Sequence, residues 1–123
     1  MNKTILIVED HPFMKLLLNQ LLSENFDVVC VDNPILALQW MDNNPNPILI
    51  LSDLAMPEMD GFELLSNLKG SAFFREIPII ILSGLSDSKD RIRCLELGAN
   101  DFIAKPFNPD ELLLKANRLI ANS

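Results

Sequence analysis

At 123 residues, 49% hydrophobic and 22% charged, the chain is predicted to form one globular domain, residues 1–123, with enough interior for a real core. A net charge of −7 argues against direct nucleic-acid binding, which needs a basic face, and no stretch approaches the ~20 apolar residues of a membrane span. "TILIV" is only a strand's length before Glu9 and Asp10 and lacks the features of a secretory leader, so the expected location is the cytoplasm.

The chain alternates apolar runs with helical patterns. "TILIV" (4–8) is the first predicted strand. In residues 11–24, Met14, Leu17, Leu18, Leu21 and Leu22 form a stripe at helical spacing, with Pro12 suited to a first turn. That register leaves Phe13, Leu16 and Gln20 on the opposite side of the first helix. "DVVCV" (27–31) is the second strand, and residues 33–43, with Trp40 as a packing residue, are the second helix. "PILILS" (47–52) is followed by an irregular loop and a third helix over 61–69, entered through the turn pair Asp60-Gly61. "PIIIL" (78–82) and a helix over 87–97 follow, with Gly98 placed as a helix C-terminal glycine. "DFIA" (101–104) and a helix over 109–121, with Asn108 as cap and Pro109 at its first position, complete the series. Cys30 and Cys94 lack metal-ligand spacing and are expected to be plain core or surface thiols.

Short strands without polar alternation read as buried on both faces, hence parallel. Five βα units in succession predict a doubly wound α/β domain with right-handed crossovers. Strand order 2-1-3-4-5 would put the switch point between the first and third strands, the place where ligands bind in such sheets. The polar punctuation falls on that edge: Glu9 and Asp10 end the first strand, Asp53 the third and Ser83 the fourth, while Lys105 follows the fifth. Taken singly, each has a plain explanation, as a cap, a turn residue or a solvated lysine. Together they put three carboxylates within reach of one another. Such carboxylates repel by about 4 kcal/mol per pair at ~4 Å and an effective dielectric near ~20, so something positive must sit among them. A hard divalent cation with oxygen ligands fits, and Mg²⁺ commonly combines one or two carboxylates with water and phosphate oxygens.

"ILIVED", "LSDLAMPEMDG", "IPIIILSG" and "LGANDFIAKPF", which run over nearly the whole chain, resemble the receiver domain of two-component response regulators. The resemblance implies a flavodoxin-like (βα)5 receiver, either a stand-alone regulator acting through protein contacts or a part of a longer protein. In it Asp53 is the phosphoacceptor and Mg²⁺ is held by Asp10, by Asp53, by the backbone carbonyl of Ala55 and by Glu9, the last directly or through water. Ser83 would bind a phosphoryl oxygen, Lys105 would pair with the phosphoryl group, and Phe102 would be the aromatic switch, turning inward as Ser83 moves. Upstream the resemblance implies a histidine kinase or histidine phosphotransfer protein; Phe13 and Leu16, apolar on the exposed side of the first helix, suggest its docking pair, the plain alternative being stray surface apolar residues. Downstream it implies a protein partner reading the face made by the fourth helix, fifth strand and fifth helix. The protein would be no enzyme beyond promoting its own phosphorylation and dephosphorylation. Departures from the family pattern are mild: the first acid is Glu9, and Gly84 stands where alanine is more usual.

Asp53 would then serve as the nucleophile toward phosphorus, kept in its carboxylate form by Mg²⁺ and Lys105. Met56 and Pro57 would shape the loop after it. Ala55 and Leu85, the positions that tune phosphate lifetime in receivers, carry no polar group to hold an attacking water, which predicts a long-lived phospho-form. Other classes fit less well. A haloacid dehalogenase-type phosphohydrolase resembles Asp-x-Asp at the nucleophile, where this chain has Ala55. A flavodoxin-like cofactor carrier would need a phosphate loop after the first strand, and "EDHP" would repel phosphate. A receiver-like scaffold that is never phosphorylated usually lacks one of the key residues, and none is missing here. His11 beside the site reads as a helix-start residue.

Overall fold

Each apolar run is a strand and each periodic stretch a helix in the computed structural model, which describes residues 2–55, 59–84 and 88–122. In chain order these are β1 (Thr4–Val8), α1 (Pro12–Leu22), β2 (Asp27–Val31), α2 (Pro34–Asn43), β3 (Leu49–Ser52), α3 (Gly61–Lys69), β4 (Ile79–Ser83), α4 (Ser88–Glu96), β5 (Asp101–Ala104) and α5 (Pro109–Ala121). The strands pair in parallel in the order β2-β1-β3-β4-β5, as the receiver resemblance implies. Val8 stands opposite Ser52, so the residues that follow, Glu9 and Asp53, leave adjacent strand ends. β3 starts at Leu49 and β4 at Ile79, later than the predicted Pro47 and Pro78; neither proline can donate to the ladder, although the Pro78 carbonyl accepts from the Ile50 N–H at 3.0 Å.

The two-residue period of the strands sorts the core into two layers. Leu6, Val8, Ile50, Ile79 and Ile81 pack under α2, α3 and α4 with Met41, Leu64, Leu68 and Cys94. Ile5, Ile7, Leu49, Leu51, Ile80 and Leu82 pack on the other face under α1 and α5, with Leu18, Leu22, Leu112 and Ala116. Trp40 packs against the first layer, as expected of it. Burying each such Leu or Ile contributes about 1.5–3 kcal/mol, so the sheet is a stiff floor for whatever projects from its edge. β2 departs from the prediction. As an edge strand it has Asp27 and Cys30 exposed and its valines only half-buried. An apolar run reports a preference for burial, whereas edge or centre is decided by strand order.

The helix ends follow local chemistry. Asn33, Asp60 and Asn108 cap α2, α3 and α5 through side-chain oxygens. His11 caps α1, its Nδ1 accepting from the Met14 N–H at 3.4 Å, so the residue beside the site is the helix-start residue expected. Gly98, at φ 107°, closes α4: its N–H donates to the Leu95 carbonyl and the Ala99 N–H to that of Cys94. That pair of bonds satisfies orphan carbonyls and requires the left-handed backbone that glycine adopts most easily. Arg93 of α4 stacks over the Phe62 ring of α3, 4.0 Å from its centre.

Candidate functional site

The carboxyl edge of the sheet carries the expected side chains. Ligand oxygens of Glu9, Asp10 and Asp53 lie within 4.8 Å of one another. Lys105, following β5, reaches across to them. Its Nζ donates to Glu9 Oε1 at 2.7 Å and to Asp53 Oδ2 at 3.2 Å. The remaining oxygens are aimed by the backbone: Glu9 Oε2 accepts from the N–H groups of Asp10 and His11, and Asp53 Oδ1 from those of Leu54 and Ala55. The Asp53 N–H donates to the Val8 carbonyl, which ties the third strand's exit to the first's. The Lys105 N–H donates to the Ser83 carbonyl, and the Lys105–Pro106 peptide is cis.

Burial grades the three acids. Glu9 is only 2% exposed, Asp53 is half-buried and Asp10 faces solvent. Burial pushes the Glu9 carboxyl above its usual range, against the opposing pull of Lys105. For Lys105, burial acts to lower the pKa, but the hydrogen bond to Glu9 and the charge of Asp53 outweigh it, so the amine stays a cation. Three carboxylates against one ammonium leave a formal excess of two negative charges in the cluster. Hard oxygen donors with that charge suit a hard divalent cation. Glu9, already committed to Lys105 and two amides, is the least free of the three to become a direct ligand.

Ser83 ends β4 fully buried, on the same edge. Phe102 is only 8% exposed and belongs to the core layer with Ile81, Cys94 and Ala99, so the ring expected to turn inward already lies inside. Ala55 is exposed beside Asp53. Met56, Pro57 and Leu85 lie outside the described residues.

Gly61 emerges as a residue whose importance the sequence does not reveal. Its N–H donates to the Leu54 carbonyl at 2.9 Å, and a Cβ there would stand 2.5 Å from the Asp53 carbonyl oxygen. The start of α3 is thus pressed against the segment that carries Asp53. The sequence signal was present in "DG", but as a turn marker, because close backbone approach leaves no separate mark.

Fold and site together define a doubly wound α/β domain with an acidic cluster, clasped by a lysine, at its topological switch point. The family model described as the response regulator receiver domain matches residues 5–117. The chain is 37% identical over 117 residues to Two-component response regulator ORR5 of Oryza sativa subsp. japonica, covering 94% of this chain and 87% of that protein. It is 37% identical over 119 residues to Histidine kinase P4 of Formosa agariphila, covering 97% of this chain but only 9% of the kinase. Among solved structures, the receiver domain of sensor histidine kinase PA1611 from Pseudomonas aeruginosa PAO1, with a magnesium ion coordinated in its active-site cleft, superposes with a TM-score of 0.88. That match is at 30% identity and covers 98% of this chain and 99% of the other. The chain belongs to the response regulator receiver domain family.

Proposed function

We propose that residues 1–123 act as a phosphoacceptor receiver, in which Asp53 takes a phosphoryl group from a phosphohistidine on a kinase or phosphotransfer protein. The observation that carries this reading is the clasp of Glu9 and Asp53 by Lys105, with Asp10 completing the acidic cluster. An Asp53 oxygen forms the new bond to phosphorus in line with the breaking P–N bond, and the imidazole leaves with a proton. Lys105, fixed between Glu9 and Asp53, neutralises charge on the transferring oxygens. Asp10, Asp53 and the Ala55 carbonyl would hold Mg²⁺, with Glu9 acting on it through water. The bound ion would supply further neutralisation of phosphoryl charge.

Ser83 and Phe102 are the switch residues in this reading. With the ring already inside, phosphorylation would hold that arrangement by engaging the Ser83 hydroxyl, and loss of phosphate would free the ring to leave. The output would be a population shift of the α4-β5-α5 face toward a form that a protein partner reads. The reaction is the domain's own modification rather than turnover of a substrate, and its setting would be the cytoplasm. The test is labelling by a small acyl phosphate with and without Mg²⁺, followed by intact mass. One added phosphoryl group, absent when the metal is chelated, is the expected result; labelling unaffected by the chelator would overturn the metal's role.

A further inference from the structure

Asp10 is the exposed member of the acidic cluster, and Lys105 is spent on the other two. A second cation stands close by. Lys15 lies one turn into α1, its N–H donating to the carbonyl of His11, the residue after Asp10, at 3.0 Å. The Lys15 ammonium does not fold back onto the cluster but pairs with Asp32. Asp32 is held there by the sheet: the Glu9 N–H donates to the Val31 carbonyl at 3.0 Å, which sets the end of β2, and with it Asp32, beside the Glu9-Asp10 segment. On its other side Asn33 caps α2 through the Leu36 N–H at 2.8 Å, so the two-residue link carrying Asp32 is anchored at both ends.

We propose that Asp32 is a positioning residue that draws Lys15 away from Asp10 and so keeps Asp10 open for the divalent cation. The argument is one of competition. An ammonium on a flexible four-carbon stem, next to two carboxylates, pairs with whichever is offered at lower cost. Were it to pair with Asp10, the local charge would be neutralised and one metal oxygen occupied, and the ion would have to displace it. The charges acting on Lys15 are consistent with this setting: the hydrogen bond to Asp32 is the main cause that raises its pKa, and the Asp10 charge adds to it. Asp32 is itself largely exposed, so its usefulness lies in where it holds Lys15.

The inference rests on the metal reading of the site, and its test separates the two. Mg²⁺ affinity is measured by calorimetry on the intact chain for Asp32→Asn, Lys15→Gln, the double variant and Asp32→Glu. Asp32→Asn should weaken binding about two- to fivefold, the scale of an exposed ion pair. Lys15→Gln should change little alone but restore affinity in the Asp32→Asn background, and Asp32→Glu should stay near the parent. If Lys15→Gln has the same effect in both backgrounds, Asp32 acts only by its own charge and the proposal fails. A metal-free crystal structure of Asp32→Asn supplies the independent arm: Lys15 should move to within about 4 Å of the Asp10 carboxylate. If it does so while the parent binds no Mg²⁺, the metal reading fails and the competition stands; if it does not, the competition is refuted.

Discussion

Replacing Gly61 with alanine should loosen the domain at its site. The added Cβ would lie 2.5 Å from the Asp53 carbonyl oxygen and 2.7 Å from the Leu54 Cα. Ordinary contact begins near 3.4 Å, so about 0.9 Å must be opened (3.4 − 2.5) against backbone on both sides. Overpacking of that kind costs about 1–3 kcal/mol. Stretching the 2.9 Å bond from the Gly61 N–H to the Leu54 carbonyl adds about 1 kcal/mol. The lower unfolded-state entropy of alanine returns less than about 1 kcal/mol. The net is a loss of roughly 1–4 kcal/mol, which for a domain of this length lowers Tm by about 5–15 °C. Thermal melting followed by circular dichroism reads it. Gly84→Ala is the control, since its new methyl meets nothing within 4 Å, and it should stay within about 0.5 kcal/mol of the parent. A Gly61→Ala Tm within about 2 °C of the parent would refute the reasoning that the start of α3 is clamped onto the Asp53 segment.

Lys105→Ala should leave the buried Glu9 without its cation and cost on the order of 3 kcal/mol near pH 8 in the absence of metal. Burial already raises the Glu9 pKa above 4.5 and Lys105 opposes the shift, so removing Lys105 raises it further. A carboxyl with a raised folded pKa contributes stability that is fully present below its unfolded pKa and lost as pH rises through the folded one. The variant's deficit in urea unfolding should therefore grow from pH 5 to pH 8, and a deficit constant across that range would contradict this. Phe13→Ala with Leu16→Ala, at 66% and 56% exposure, should slow phosphotransfer from the cognate kinase while sparing labelling by a small donor. Equal slowing of both would make the pair structural. Cys94, fully buried with its thiol pushed up to about 11 by burial, should resist a thiol-disulfide reagent at pH 8 until the chain unfolds, whereas exposed Cys30 reacts at once; two fast equivalents in the native state would show that burial does not protect Cys94.

Much of this was legible because it is local. Apolar runs, Pro12, Asn108 and Gly98 marked elements and their ends, and the strand order that the receiver resemblance implies then made Glu9, Asp10, Asp53 and Lys105 neighbours. What escaped was set by tertiary placement. "DVVCV" looks as buried as "TILIV", yet only position in the sheet leaves Cys30 exposed at the edge. Glu9 and Asp10 are adjacent acids with opposite surroundings, one enclosed with Lys105 and one in solvent, and no spacing distinguishes them. Lys69 is a further case: it ends α3 as an ordinary polar residue, but its Nζ donates to the carbonyls of Arg75 and Ile77 and to Asn100 Oδ1, tying three segments together. The inward Phe102 ring likewise depends on how β5 meets α4, which its neighbours in sequence do not fix.

The account turns on Asp53, and its bond to phosphorus can be read directly. After treatment with a small acyl phosphate and Mg²⁺, borohydride reduction converts an aspartyl phosphate to homoserine, which peptide mass spectrometry locates. Homoserine at position 53 in the parent, and none anywhere in Asp53→Asn, is the predicted result; modification at Asp10 or Glu9 instead, or an unlabelled parent, would contradict it.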